Sequence, residues 1–150
     1  MVRDSDFDMF AGEYYGRICY YENTGSAASP VFTARTGAAN PFNGVDLGDW
    51  TSPDFVDIDG DSDFDAFICE NGGNINYFKN TGTVASPTFT ETTGAGNPFN
   101  GVSVGLASPG FVDMDNDSVP DVFFGRLTGI IEYYANEGTL PVELSQFMIE

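Results

Sequence analysis

Two stretches of this sequence concentrate oxygen donors at alternate positions. Asp57-Ile58-Asp59-Gly60-Asp61-Ser62-Asp63-Phe64-Asp65 places carboxylates at positions 1, 3, 5, 7 and 9 of a nine-residue segment. Asp113-Met114-Asp115-Asn116-Asp117-Ser118-Val119-Pro120-Asp121 places them at positions 1, 3, 5 and 9, and both segments follow a Phe-Val pair. On a curled loop such charges repel by about 4 kcal/mol per pair at ~4 Å and an effective dielectric near 20. A cation relieves that repulsion. Six to eight oxygens at ~2.3–2.6 Å suit Ca²⁺, which is preferred over Mg²⁺ on ligand count.

The spacing predicts two calcium sites. Asp57, Asp59, Asp61 and Asp65 supply side chains to one, with the backbone carbonyl of Asp63 at the seventh position, as in EF-hand loops. Asp113, Asp115, Asp117 and Asp121 supply the other, with the carbonyl of Val119. A lone Asp-x-Asp-x-Asp would read equally well as a solvated acidic turn; recurrence in register separates the two readings. Asp4, Asp6 and Asp8 match only positions 5, 7 and 9. That half-loop reads as an empty acidic turn unless a neighbouring chain supplies the missing ligands.

The elements that position these loops follow from composition and repetition. The chain has 150 residues, one domain's length, with 23 Asp+Glu against 5 Lys+Arg, a formal charge of −18. Phosphate backbones and anionic lipid surfaces are repelled by such a field, so nucleic acid and membrane surfaces are excluded as partners. No histidine is present, which removes the commonest general base and the usual catalytic triads. No apolar run approaches the ~20 residues of a spanning helix. With 18 Gly, 8 Pro and 15 % aromatics, short strands between turns are favoured over helices. The class predicted is all-β.

Asn23-Thr24-Gly25 returns as Asn80-Thr81-Gly82, and Ala28-Ser29-Pro30 as Ala85-Ser86-Pro87. Asn40-Pro41-Phe42-Asn43-Gly44-Val45 returns unchanged as Asn97-Pro98-Phe99-Asn100-Gly101-Val102. Ser52-Pro53-Asp54-Phe55-Val56-Asp57 returns as Ser108-Pro109-Gly110-Phe111-Val112-Asp113. Asp4–Asp8 matches Asp61–Asp65, and Tyr133–Gly138 matches Tyr77–Gly82. About two and a half repeats of roughly 57 residues result, a partial repeat at 1–51, then 52–107 and 108–138, within the periods of propellers and solenoids.

Each unit divides into four strands. In the middle copy they are Asp54–Asp57, Asp65–Asn71, Asn74–Asn80 and Thr88–Glu91, the second and third closed by a tight primed turn at Gly72-Gly73. Four antiparallel strands per unit describe a propeller-like blade. Fewer than the usual four to eight blades implies an incomplete ring, or one completed by other copies.

The Phe-Val-Asp-x-Asp-x-Asp core, the Asn-Thr-Gly signal and the four-strand period together resemble FG-GAP/VCBS-type repeats, the calcium-binding blades also found in integrin α-subunit propellers. The likeness runs to about Gly138. It implies blades with a structural Ca²⁺ between the first two strands, in secreted or surface proteins. Position 6, often Gly in that family, is Ser62 and Ser118 here, which puts a side chain on a left-handed turn.

Other residues carry weaker signals. Counting outward from the glycine turns sets Cys69 opposite Asn76 and Gly12 opposite Cys19, leaving a disulfide across units and two separate thiols as alternatives. The Asn-Pro-Phe-Asn-Gly segments read as turns that pin Phe42 and Phe99 into the core, with recognition loops as the alternative. Trp50 reads either as an exposed platform or as packing between units. Asn116-Asp117-Ser118 fits a glycosylation acceptor but lies inside a metal loop. Residues 139–150 leave the repeat register as a closing strand or linker; Leu140-Pro141-Val142-Glu143-Leu144 resembles the stretch preceding the sorting domain of type IX-secreted bacterial proteins. Met1-Val2-Arg3-Asp4 carries no signal-peptide pattern, which suits a fragment or processed chain.

The function expected from these features is non-enzymatic. It is a calcium-stabilised extracellular or cell-surface module of bacterial origin, acting in adhesion or in a surface assembly or filament, through self-association or binding of other surface proteins. The alternative is a calcium-dependent lectin that uses Trp50, Tyr14, Tyr15 or the Asn-Pro-Phe loops on glycans. A hydrolase with paired carboxylates is disfavoured, because every recurrent acidic pair already has a metal role.

Overall fold

The structure is a computed structural model that describes residues 6–136 and the backbone of the strand at 146–149. Asp4 and residues 137–145, including the Leu140–Leu144 stretch, lie outside the described residues.

The chain is all-β: three antiparallel sheets and, among the described residues, no helix beyond the single 3-10 turns Gly37–Ala39 and Gly94–Gly96. No helix among these residues is long and apolar enough to cross a membrane. The first sheet has three strands, β1 (Met9–Gly12), β2 (Ile18–Asn23) and β3 (Phe32–Arg35), in that spatial order. The second has four, β4 (Ser52–Val56), β5 (Asp65–Cys69), β6 (Ile75–Asn80) and β7 (Phe89–Thr92). The third runs β8 (Ala107–Val112), β9 (Asp121–Arg126), β10 (Ile131–Tyr134) and β11 (Gln146–Ile149). The late strand β11 pairs with β10 in the place that β7 takes beside β6.

Alternation explains why β5 reads as an unbroken apolar run. Ala66 and Ile68 point into one core with Ile18, Phe42 and Phe78; Phe67 and Cys69 point into another with Ile75, Phe99, Val104, Val122 and Phe124. A strand covered on both faces needs apolar residues at every position. Each core repeats the same aromatic geometry. Phe10 stacks on Tyr20 at 4.6 Å and Phe67 on Tyr77 at 4.7 Å. The Phe that opens each acidic loop reaches back to the preceding sheet, Phe55 to Phe10 at 4.7 Å and Phe111 to Phe67 at 4.9 Å.

The Asn-Pro-Phe segments are turns that pin a ring inside, as expected. Asn40 donates its side-chain amide to the Ile18 carbonyl at 2.8 Å and accepts the Phe42 N–H at 2.9 Å. Asn97 repeats both bonds with Ile75 and Phe99 at the same lengths. Phe42 and Phe99 are each 2 % exposed.

The expected primed turn is corrected. Only Gly73 of the Gly72-Gly73 pair has positive φ (92°), and its N–H donates to the Glu70 carbonyl at 3.0 Å. Gly16 and Gly129 close on Glu13 and Arg126 in the same way. A single left-handed glycine after a turn of this kind makes a three-residue hairpin loop. That extra residue shifts the ladder by one, so Cys69 pairs with Ile75 and Ala11 with Cys19. Both cysteines are free thiols, Cys69 buried and Cys19 half-buried.

Candidate metal centre

Both acidic loops join the first strand of a four-stranded sheet to its second, β4 to β5 and β8 to β9. Backbone N–H groups are turned onto the carboxylates and curl the chain. Asp57 accepts from Gly60 at 2.8 Å and from Ser62 at 3.0 Å, Asp59 from Asp61 at 3.3 Å, and Asp61 from Asp63 at 3.1 Å. In the second loop Asp113 accepts from Ser118 at 3.0 Å, Asp115 from Asp117 at 3.2 Å, and Asp117 from Val119 at 2.8 Å. Such Asx turns tolerate the left-handed region. Gly60 (77°) and Asn116 (64°) occupy it at the fourth position, Ser62 (74°) and Ser118 (72°) at the sixth.

The curl brings together Asp57, Asp59 and Asp61 in one loop and Asp113, Asp115 and Asp117 in the other, with ligand oxygens within 4.8 Å of one another. Asp63 lies against the first trio. It is 9 % exposed, and its Oδ1 is buried with no hydrogen-bond partner. Burial, and then the carboxylates of Asp61, Asp59 and Asp57, hold its carboxyl above the usual range, against a hydrogen bond from the Asn80 side chain. An all-oxygen donor set with a desolvated carboxylate oxygen beside it fits a hard divalent cation. Val119, at the same loop position, is half-buried.

Asp65 and Asp121, expected as side-chain ligands, face the third strand of their sheets. Asp65 accepts the Tyr77 O–H at 2.8 Å and the Asn80 N–H at 2.7 Å. Burial pushes its carboxyl up to about 6 against those two bonds. Asp121 accepts the Asn136 N–H at 2.8 Å and the Met114 N–H at 3.0 Å. Asp8 does the same in the first sheet, with Tyr20 at 3.0 Å and Asn23 at 2.8 Å. The ninth position thus has the same structural role in all three sheets. Each carboxylate oxygen keeps a further lone pair for a cation.

Two roles were not read from the sequence. Asn80 accepts the N–H groups of Gly82 and Thr88, both at 3.0 Å, and Asn23 those of Gly25 at 3.0 Å and Val31 at 2.9 Å. The Asn-Thr-Gly signal is thus a loop clamp, and its recurrence was the available clue. Lys79 on β6 forms an ion pair with Asp59, and its hydrogen bond is the main reason the Asp59 carboxyl sits below its ordinary range. Lys79 is the only lysine in the sequence, a signal that went unused.

Trp50 is half-exposed with φ of 60°, and packs edge-on against Tyr14 at 5.1 Å. With Leu106, Arg126 and Leu127 these two line a cleft of ≈ 450 Å³ across the starts of β4 and β8.

Comparison with protein-family models, curated protein sequences and solved structures finds no match to this chain.

Proposed function

We propose that this chain is a non-enzymatic, calcium-stabilised FG-GAP/VCBS-type repeat module whose sheets are propeller-like blades, serving as a structural or adhesive subunit of an extracellular surface assembly. The observation that carries the reading is Asp63 Oδ1, buried without a partner beside three convergent carboxylates. A desolvated anionic oxygen costs folding free energy unless a cation meets it. Bound calcium returns that energy: a site held at a hundredfold excess over its Kd adds about 2.7 kcal/mol. Millimolar calcium outside cells suits even weak sites.

Support for assembly comes from the first sheet, in which β1 is an edge among the described residues. A strand of a second copy would pair along β1 as β4 pairs with β5.

The test is a melting curve with and without chelator. Calcium should raise the Tm by on the order of 10 °C for two sites. A curve indifferent to both calcium and EDTA would remove the metal reading.

A second reading, calcium-dependent glycan binding, is favoured by the half-exposed Trp50 and Tyr14 rings beside the ≈ 450 Å³ cleft. Clefts of that volume hold small ligands. A glycan array in calcium buffer distinguishes the two, since a passive scaffold gives no saccharide-specific signal.

A further inference from the structure

The three sheets are joined in series by two equivalent contacts. Each sheet has a leading face, marked by its Phe-Tyr ring pair, and a trailing face behind it. The leading face of the first sheet, with Phe10 and Ile18, packs on the trailing face of the second, with Ala66, Ile68 and Phe78. The leading face of the second, with Phe67 and Ile75, packs on the trailing face of the third, with Val122, Phe124 and Tyr134. The third sheet carries a leading face of the same make, its Phe123 and Tyr133 rings 4.8 Å apart. Here side chains are exposed where their counterparts in the same repeat position are buried. Val112 is 47 % exposed against 8 % for Val56, Met114 60 % against 6 % for Ile58, and Ile131 41 % against 4 % for Ile75. At the other end, the trailing face of the first sheet exposes Met9 and Phe32 and half-buries Tyr21, in the places of Ala66, Phe89 and Phe78.

We propose that a second copy of this chain stacks the trailing face of its first sheet on the leading face of the third, head to tail. The chain itself selects the occupant: it builds this join twice internally, so its two open faces are complementary. Exposed apolar patches of this kind mark interaction surfaces. Because the two faces differ, the contact is heterologous, and each added copy leaves one face of each kind open, which extends to a ring or a chain of copies. Internally the join is sealed by Phe42 and Phe55, which meet Phe89 at 4.5 and 5.9 Å. No described ring takes their place at the open leading face, so the association is reversible and depends on concentration. This rests on the self-assembly part of the reading above, whose partner it names, and is independent of its calcium part.

Sedimentation velocity of the whole chain from micromolar to millimolar, in about 0.5 M NaCl to screen the −18 charge of each copy, tests this. The mass of the wild type should rise with concentration. Ile131→Glu and Phe32→Glu each place a charge at an exposed position of one face. Each alone should raise the concentration needed for association by about tenfold or more. Mixed, the two should form a dimer and stop there, since each keeps the face that the other has lost. Leu127→Glu, at an exposed position in the turn after β9, should associate as the wild type does. Val112→Glu and Met9→Glu serve as a second pair where either first variant loses its β circular dichroism. If a single-face variant associates like the wild type, if the mixture fails to stop at a dimer, or if Leu127→Glu weakens association as much, the pairing of faces falls and self-assembly through another surface stands. If the wild type stays monomeric at millimolar concentration in both calcium and EDTA, self-assembly falls as well.

Discussion

The phenol of Tyr77 donates to Oδ2 of Asp65 at 2.8 Å, in a site where the ring is 4 % exposed and the carboxylate 1 %. This bond ties the end of an acidic loop to the third strand of its sheet, and Tyr20 repeats it to Asp8 at 3.0 Å. The same burial, followed by the Asp65 hydrogen bond, pushes the Tyr77 phenol far above its ordinary pKa. Tyr77→Phe leaves the stacked ring and removes one of two donors to a buried carboxylate. The expected loss is about 2 kcal/mol, read from urea unfolding in EDTA. A loss below a few tenths would mean that the hydroxyl is dispensable.

The left-handed serines give a prediction of opposite sign. A side chain in that region costs roughly 1–2 kcal/mol, while glycine's extra freedom in the unfolded chain costs about 0.5–1. Among the described residues neither Ser62 nor Ser118 caps a neighbour through its hydroxyl, so Ser62→Gly and Ser118→Gly should each stabilise by about 0.5–1 kcal/mol. Gly60→Ala, at φ of 77°, should destabilise. Thermal melts of the three variants in EDTA check the signs.

The thiols differ in reach. Cys69 is wholly buried, and burial first, then Glu70, pushes its pKa up to about 12. At pH 8 a disulfide reagent should titrate Cys19 in the native protein and Cys69 only in denaturant. Because the folded state holds this proton more tightly than the unfolded state, the associated stability is present below the unfolded thiol's pKa, near 9. It is lost as pH rises from there towards 12. Cys69→Ala should remove that portion of the alkaline decline; an unchanged slope between pH 9 and 11 would refute it.

Two aromatic truncations contrast core with cleft. Phe99 meets Phe67 at 5.5 Å and Phe124 at 5.7 Å edge-on, so Phe99→Ala should cost about 3–5 kcal/mol. Trp50, half-exposed, should cost under 1 kcal/mol when truncated in the absence of ligand. Guanidinium unfolding of both variants separates the pinned ring from the surface one.

Some of the molecule was legible from short patterns. The doublet of Asn-Pro-Phe turns revealed two buried rings because one Asn side chain satisfies both a turn N–H and a strand carbonyl, chemistry contained within the motif and its adjoining hairpin. The loop trios Asp57–Asp61 and Asp113–Asp117 converge because Asx turns act over two to five residues. Register was less accessible. Whether Gly72 or only Gly73 takes positive φ shifts the ladder by one residue, and composition is the same either way.

The sequence alone determined the β class, the repeat and the acidic triplets, since each depends on residue type and spacing along a few neighbours. Tertiary structure decided which groups of the protein meet each carboxylate. Asp65 and Asp121 turn towards the third strand because Asn80, Asn136 and Tyr77 bring donors there from 12 to 15 residues away. Lys79 reaches Asp59 across 20 residues, and Asp63 loses its water only when the sheets pack. Desolvation and charge pairing are properties of what lies nearby in space, and that neighbourhood exists only in the folded chain.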